Sequence, residues 1–431
     1  MSFHAPFSTL SLRKQKIRRA RFLSRLMPLG SDIPSTNIRR VMIDSVGVGF
    51  ASAAQPFLPV LLARLGATNQ AIGLYSALPA LGALLFAIPA GRFLSARKQI
   101  VPWFSTARLL LISSYALTGL VTFFFSNLRV ELIIAIWALA TIPQVLLNVS
   151  FTVVMASVAG PAGRYYLMSR RWSLLGFTNA ITVAIAGQIL HALAFPVNYT
   201  IVFVILSLGG LVSYYFSSHL ILPDQTPPPP TDGSTVQKRI SNRVANVRAH
   251  PAFVRFNISQ FVYHLGWGLA VPLLPLYFVR NLNATDAEIG IINTVNTGVL
   301  LVAYFMWSRI TREMGGRFAL IATTFGLSFY PLLLAFTNQI GVVILLSALA
   351  GIFQAGLDLD FFDTVITTMP EGAASASFVG IFQTTKSFAL FVSPLIGTSL
   401  AGVIGIPFAL VVAGVVRLVG CATFALVFRE S

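Results

Sequence analysis

Residues 109–128 read LLLISSYALTGLVTFFFSNL, and none of the twenty is Asp, Glu, Lys or Arg. About 20 such residues are needed for a helix to cross the ~30 Å hydrocarbon core of a bilayer. Polar and apolar residues do not alternate along the run, so it lacks the pattern of a strand in a membrane barrel. Since backbone polar groups cannot stay unpaired in lipid, this stretch predicts a transmembrane helix.

The composition extends this prediction to the whole chain. Of 431 residues, 56% are hydrophobic and only 10% are charged, against about 25% charged residues in soluble domains. We therefore predict an all-α membrane protein with twelve transmembrane helices. The predicted spans are 40–62, 71–91, 101–124, 131–156, 172–194, 199–221, 255–279, 288–308, 317–336, 340–366, 376–401 and 405–428.

A proline-rich segment divides the spans into six and six. Residues 227–230 are four consecutive prolines, followed by a basic cluster, and a proline run favours an extended spacer. The predicted organisation is a basic cytoplasmic tail at 1–37, a six-helix bundle at 38–221, a cytoplasmic linker at 222–252 and a second six-helix bundle at 253–431.

The formal net charge of +17 is distributed as in a membrane protein. If the N-terminus is inside, most loop Lys and Arg residues fall on the cytoplasmic side, and the outer loops contain only Arg64, Arg129 and Arg280. Basic residues favour the cytoplasmic face of a membrane, where anionic lipid attracts them. This predicts a multi-pass plasma-membrane protein with both termini cytoplasmic, and the charge requires no nucleic-acid partner.

The second half of the chain repeats the first. Residues 56–64 read PFLPVLLAR, and 216 positions later residues 272–280 read PLLPLYFVR. Ala67-Thr68-Asn69 likewise corresponds to Ala284-Thr285-Asp286 after one inserted residue. Because each copy has six helices, both have the same orientation in the membrane, which is a parallel repeat.

The loop between the second and third spans contains Gly91, Arg92, Ser95, Arg97 and Lys98, and its second-half counterpart contains Arg309 and Arg312. With this loop, the repeat and the basic linker, the chain resembles the major facilitator superfamily (MFS) over residues 38–430. The family's gating motif has Asp where Ser95 stands, and a serine caps a neighbouring helix more weakly. The resemblance implies a transporter whose helices 1, 4, 7 and 10 line a central cavity.

Polar residues in the predicted cavity helices are candidates for binding the solute, because a polar side chain in hydrocarbon is costly. Gln354 and Asp358 share one stripe of helix 10, and the repeat maps them onto Gln144 and Asn148 in helix 4. Asp358 is the candidate for proton coupling, since a desolvated carboxylate binds a proton more readily than one in water. A structural pairing role is the alternative.

The other charged residues within predicted spans are candidates for ion pairs, since an unpaired buried charge is costly. Lys386 is expected to pair with Asp358, Asp360 or Asp363. Arg108 is expected to reach the cytoplasmic surface, pair with a carboxylate or bind an anion. Asp44 is expected to pair with Arg40 at the membrane surface.

Six further polar or aromatic residues are cavity candidates, with helix packing as the alternative. They are Gln260, His264, Trp267, Asn293, Asn296 and Gln383. Three share one side of helix 7 and could hydrogen-bond or stack on a solute, and the three in helices 8 and 11 are weaker candidates.

These features predict a secondary transporter that works by alternating access, coupled to protons or operating as a uniporter. A transport-inactive scaffold or solute sensor on the same fold is the alternative. The chain has no Walker-type motif and no Cys/His cluster, so we predict neither an enzyme nor a bound cofactor or metal. The expected partners are the bilayer and a small, neutral or cationic solute, and the expected state is a monomer.

Overall fold

The computed structural model describes residues 32–224, 250–368 and 375–427. The basic cluster of the N-terminal tail and most of the proline-rich linker lie outside these residues. The side chain of Asp363 is also outside the described part, although its backbone belongs to a helix.

The described part of the chain contains twelve helices that are long and apolar enough to cross a membrane. They are α1 Ile33–Arg64, α2 Asn69–Ser95, α3 Val101–Phe124, α4 Arg129–Gly160, α5 Leu167–Ala192, α6 Val197–Ser218, α7 Pro251–Asn281, α8 Asp286–Met314, α9 Gly316–Leu334, α10 Ile340–Thr368, α11 Ser375–Ile404 and α12 Ile406–Val427. This confirms the predicted fold class.

Corresponding threonines begin α2 and α8. The Thr68 hydroxyl accepts a hydrogen bond from Ala71 N at 3.1 Å, and the Thr285 hydroxyl accepts one from Glu288 N at 3.2 Å. The Glu288 carboxylate in turn accepts from Thr285 N at 2.7 Å, which completes a capping box. The caps satisfy backbone donors that a helix start leaves unpaired, so the repeat fixes the same boundary in both halves.

The repeated prolines coincide with irregular backbone near the ends of α1 and α7. Pro56 follows a turn that divides α1 into Ile33–Ser52 and Phe57–Arg64. In α7, Pro275 precedes a single wide turn at Tyr277–Asn281. Proline lacks an N–H donor and clashes with the preceding turn. Both helices deviate from regular geometry near the repeated prolines, but the break in α1 at 53–56 corresponds to 269–272, and the wide turn of α7 lies farther along the chain.

Two helix pairs form the most extensive contacts between the halves in the described part of the chain: α2 packs along α11, and α5 packs along α8. At the second crossing the backbones approach closely at Gly187 and Gly290. A Cβ atom on Gly187 would lie 2.8 Å from Asp286 O, and one on Gly290 would lie 3.1 Å from the Gly187 Cα. Only glycine permits this approach without displacing a helix.

The apolar core differs between the two ends of the molecule. At the predicted outer end, where α1 leads into α2 and α7 into α8, one core is continuous across both halves. Its members include Phe57, Ile72 and Leu190 from the first half and Leu273, Ile289 and Leu410 from the second. At the predicted inner end, the main cores are separate, one around Phe104 and Val154 and the other around Phe256 and Leu357. The halves are therefore joined mainly at the predicted outer end.

Candidate functional site

A cavity of about 400 Å³ lies within the first half of the molecule. Its walls include Gln144 and Asn148, the two α4 residues selected from the repeat. Five aromatic side chains from α2, α3, α4 and α5 also line it: Tyr75, Tyr115, Trp137, Phe151 and Trp172. A cavity of this volume, apolar with a few polar groups, suits a small organic molecule.

Arg108 and Asp44 form a buried ion pair beside this cavity. Ser213 Oγ donates to Asp44 Oδ1 at 2.6 Å and accepts from Arg108 Nη1 at 3.2 Å. The pair therefore joins α1, α3 and α6. Arg40, the partner expected for Asp44, instead donates to the His219 carbonyl oxygen.

Arg171 is one candidate site residue that sequence reasoning missed. Its predicted span began at residue 172, so it counted as a loop charge, whereas α5 begins at Leu167 and places it inside the helix. Its side chain lines the cavity, and the residue is only 3% exposed. The guanidinium carbon lies 4.6 Å from the Phe151 ring centroid and 5.2 Å from that of Trp172.

In the second half, the Asp358 carboxylate accepts hydrogen bonds from two helices. Asp358 Oδ1 accepts from Gln354 Nε2 at 2.7 Å, and Oδ2 accepts from the Tyr304 hydroxyl at 2.9 Å. Lys386 of α11 interacts electrostatically with the same carboxylate. The Asp358 side chain is exposed rather than packed into the bundle. The structure thus surrounds Asp358 with groups from α8, α10 and α11, and Tyr304 was absent from the sequence candidates.

Asp360 occupies a different face of α10 from Asp358, as expected for residues about 200° apart on a helix. It is fully buried, and its Oδ1 accepts from Thr311 Oγ1 at 3.1 Å. This contact ties α10 to α8 near the predicted inner end. Asp363 remains a prediction, because its side chain lies outside the described part.

Two of the α7 candidates make hydrogen bonds within the second half. Gln260 Nε2 donates to Asn257 Oδ1 at 3.1 Å and to Thr385 Oγ1 at 2.9 Å. His264 Nδ1 lies 2.8 Å from Gln260 O. Both residues are at most 2% exposed, whereas Trp267 is half-buried with its ring centroid 5.5 Å from that of His264. Packing of α7 against α11 accounts for the Gln260 contacts.

The remaining polar candidates divide between packing and exposed positions. Asn296 Nδ2 donates to Ser347 O at 2.9 Å and joins α8 to α10. Asn293 Nδ2 donates to Ile289 O at 2.8 Å within its own helix. Gln383 is exposed on α11.

The predicted gating loops make local contacts. Ser95 Oγ donates to Arg92 O at 3.0 Å, so this serine bonds to its own helix end. Arg97 stacks on Phe93 and Trp103, with its guanidinium carbon 4.4 Å and 5.1 Å from the ring centroids. Lys98 is exposed, and a Cβ atom on Gly91 would meet nothing within 4 Å.

The corresponding loop of the second half behaves in the same way. Arg309 Nε donates to Glu313 at 2.7 Å, and Arg312 Nε donates to Ser308 O at 3.0 Å. These contacts stay within α8.

At the predicted outer end, two arginines related by the repeat each reach into the opposite half. Arg64 donates to Asp286 Oδ1 at 2.9 Å and to Ala284 O at 2.8 Å. Arg280 donates to Asn69 Oδ1 at 2.5 Å and also to the Ala67 carbonyl oxygen. We call Arg64, Asp286, Arg280 and Asn69 the outer latch. Each arginine contacts the same two positions of the opposite repeat, so the latch has approximate twofold symmetry.

We expect replacement of Asp286 by Asn to open the outer latch more often. The Asp286 carboxylate accepts from Arg64 and from the Tyr199 hydroxyl, both in the first half. Hydrogen bonds to a charged group contribute about 1.5–3 kcal/mol, so the fraction of molecules in which these contacts are broken should rise about tenfold or more. The measurement uses an Ala287→Cys reporter, which is buried beside the latch. A membrane-impermeant maleimide should label this cysteine faster in the Asp286→Asn variant than in the parent.

Arg129→Gln is the matched control for this experiment. Arg129 also lies at the predicted outer end, but it donates to Phe125 O of its own half. Its removal should leave labelling of the reporter unchanged. Equal labelling rates in the Asp286→Asn variant and the parent would contradict a gating role for the latch.

The chain matches the family model for the Major Facilitator Superfamily over residues 256–431. A comparison with curated protein sequences found no match. Among solved structures, it resembles a mutant of the nucleoside transporter NupG with a TM-score of 0.71 and 11% identity, covering 91% of this chain and 100% of that one. It resembles a D-xylose-proton symporter with a TM-score of 0.68 and 12% identity, covering 91% and 97%.

A third similar structure is a bacterial homologue of the human lysosomal transporter Spinster, in an inward-facing and unoccupied conformation. The TM-score is 0.67 at 11% identity, covering 93% of this chain and 98% of that one. The twelve membrane-spanning helices of the described residues are arranged as in these proteins, so the chain is a multi-pass membrane protein with the fold of these transporters. The family-model match over residues 256–431 makes the second half of the chain similar to the major facilitator superfamily, the family that the sequence resembles.

Proposed function

We propose that the protein is a secondary transporter that works by alternating access, with residues 38–221 and 253–431 moving as two units. The observation that carries this proposal is the distribution of the apolar core. One core joins the halves at the predicted outer end, whereas the main cores at the inner end are separate. Rocking about the central region would exchange which end is closed.

In this proposal the solute binds between the halves. The aromatic and amide groups around Gln144 and Asn148 would face the group formed by Gln354, Asp358 and Tyr304. The repeat maps Gln144 and Asn148 of α4 onto Gln354 and Asp358 of α10. A solute in contact with both clusters would bind more tightly when the inner end is closed. It would therefore shift the equilibrium toward the state with a closed inner end.

We further propose a plasma-membrane location with both termini cytoplasmic. The loop charges support this orientation. Reporter fusions or labelling sites in the 225–249 segment should be reached only from the cytoplasmic side. Labelling from outside intact cells would reverse the assignment of inner and outer ends.

A crosslink across the predicted outer end tests alternating access. In Gly73→Cys/Thr398→Cys, the two thiols would span α2 and α11, since a Cβ atom on Gly73 lies 3.0 Å from Thr398 Cγ2. Oxidation should block solute flux in proteoliposomes by roughly tenfold or more, and a reductant should restore it. The solute would be one selected by thermal-shift screening of a metabolite panel. Cys421, the single native cysteine, is buried, so little crosslinking should occur through it.

The Thr398→Cys single variant serves as the control and should transport with or without oxidant, whereas Gly73→Cys alone would place its Cβ atom 2.2 Å from Thr398 Oγ1. Full flux through the oxidised double variant would contradict alternating access. Ligand binding without any flux in the parent protein would favour the sensor instead.

A further inference from the structure

We propose that Arg171 forms an anion-binding subsite in the first-half cavity and that the ligand is an aromatic monocarboxylate. This inference deepens the proposed transport function and rests on it for the ligand's role as a solute. It differs from the neutral or cationic solute expected from the sequence, because the sequence placed Arg171 in a loop.

The first observation concerns two nitrogen atoms of the buried Arg171 side chain. Arg171 is 3% exposed, and its Nε and Nη1 atoms have no hydrogen-bond partner among the residues that the structure describes. An unpaired buried charge is costly. An anion in the cavity that Arg171 lines would supply the missing acceptors.

The local charge balance indicates a ligand with one negative charge. Among the residues that the structure describes, Arg108 and Asp44 are the charged side chains that act on Arg171. Asp44 already accepts from Arg108 and Ser213. The three charged side chains sum to +1, which a monoanion neutralises and a dianion exceeds.

The shape of the site favours a carboxylate attached to a ring. Phe151 and Trp172 hold the guanidinium by cation–π contacts, and a planar guanidinium matches a carboxylate through parallel hydrogen bonds. Farther along the cavity, Trp137 packs edge-on to Tyr75 and Tyr115, with centroids 5.9 Å and 4.9 Å apart. These rings provide an apolar wall for an aromatic body.

The test measures binding to the purified full chain, without a gradient. The probes are benzoate and 2-naphthoate, the uncharged benzamide and 2-naphthamide of similar shape, and inorganic phosphate. Quenching of tryptophan fluorescence reports occupancy, since Trp137 and Trp172 line the cavity. Each carboxylate should bind more tightly than its amide and more tightly than phosphate.

Arg171→Gln should weaken carboxylate binding by about 10- to 100-fold, as expected for loss of charged hydrogen bonds. Arg171→Lys should lose less carboxylate affinity than Arg171→Gln, because lysine keeps the positive charge. It should still bind more weakly than the parent, because lysine lacks the planar guanidinium. The matched control is Arg417→Gln, which removes an equally buried arginine of the second half. Its carboxylate affinity should equal that of the parent.

Four results would overturn the proposal: no carboxylate binding at millimolar concentration, equal affinity for acid and amide, tighter binding of phosphate, or unchanged affinity in a folded Arg171→Gln variant. Because the assay needs no transport, failure of the subsite is distinguishable from failure of the transport mechanism. If carboxylate binding depends on Arg171 but no solute flux is observed, the subsite is supported and only the proposed transport function is contradicted.

Discussion

Replacing Asp358 by Asn is expected to abolish solute accumulation driven by a pH gradient in proteoliposomes. The carboxylate is exposed within a membrane helix and is held by Gln354 and Tyr304, with Lys386 as its electrostatic partner. An ionisable group in this setting can exchange a proton when the site is wet. Asparagine keeps the size and the hydrogen-bonding oxygen but cannot take up the proton. Solute exchange without a gradient should persist.

Tyr304→Phe is the control for Asp358. It removes one hydrogen bond to Oδ2 and leaves the carboxylate, so gradient-driven accumulation should remain. If the Asp358→Asn variant accumulates solute as the parent does, Asp358 does not couple protons, and a uniporter or a different coupling residue is required.

Replacing Asp44 by Asn is expected to give the largest loss of stability. Removal of one member of a buried ion pair costs about 3–5 kcal/mol, because the other charge stays buried and unpaired. Here Arg108 would lose its partner, and Arg171 would lose its nearby attractive charge. Thermal unfolding in detergent, followed by the aggregation temperature or tryptophan fluorescence, should show a large decrease.

The double variant Asp44→Asn/Arg108→Gln should be more stable than Asp44→Asn alone, since it removes both members of the pair. Glu313→Gln provides the exposed comparison. Its partner is Arg309 at i, i+4, and the two side chains are 59% and 76% exposed. Such surface pairs contribute at most about 1 kcal/mol. An equal loss in Asp44→Asn and Glu313→Gln would show that burial of the Asp44 pair has little effect.

For the outer latch, the repeat identifies equivalent residues but not their contacts. Arg64 and Arg280 are visibly equivalent in sequence, and so are Asn69 and Asp286. Loop charge counts, however, describe only which side of the membrane an arginine occupies. That each arginine crosses to the other half depends on how the halves are docked, and no local pattern contains this information.

The sequence by itself determined the class of structure. Charge-free runs of about twenty residues require helices in lipid, and the two copies of the proline-containing motif define a parallel repeat. It also selected Gln354 with Asp358, because side chains four residues apart on a helix share a face. These conclusions depend on local periodicity and on hydrocarbon thickness, and both can be read along the chain.

Only the tertiary structure decided the partners of the polar residues. Asp44 pairs with Arg108 rather than with its helix neighbour Arg40, and Gln260 bonds to Thr385 of another helix. Arg171 changed from a loop charge to a cavity residue because α5 starts about one turn earlier than its apolar run. Inside a membrane protein, the environment of a polar group is set by which helices pack beside it, and that packing joins residues far apart in the chain.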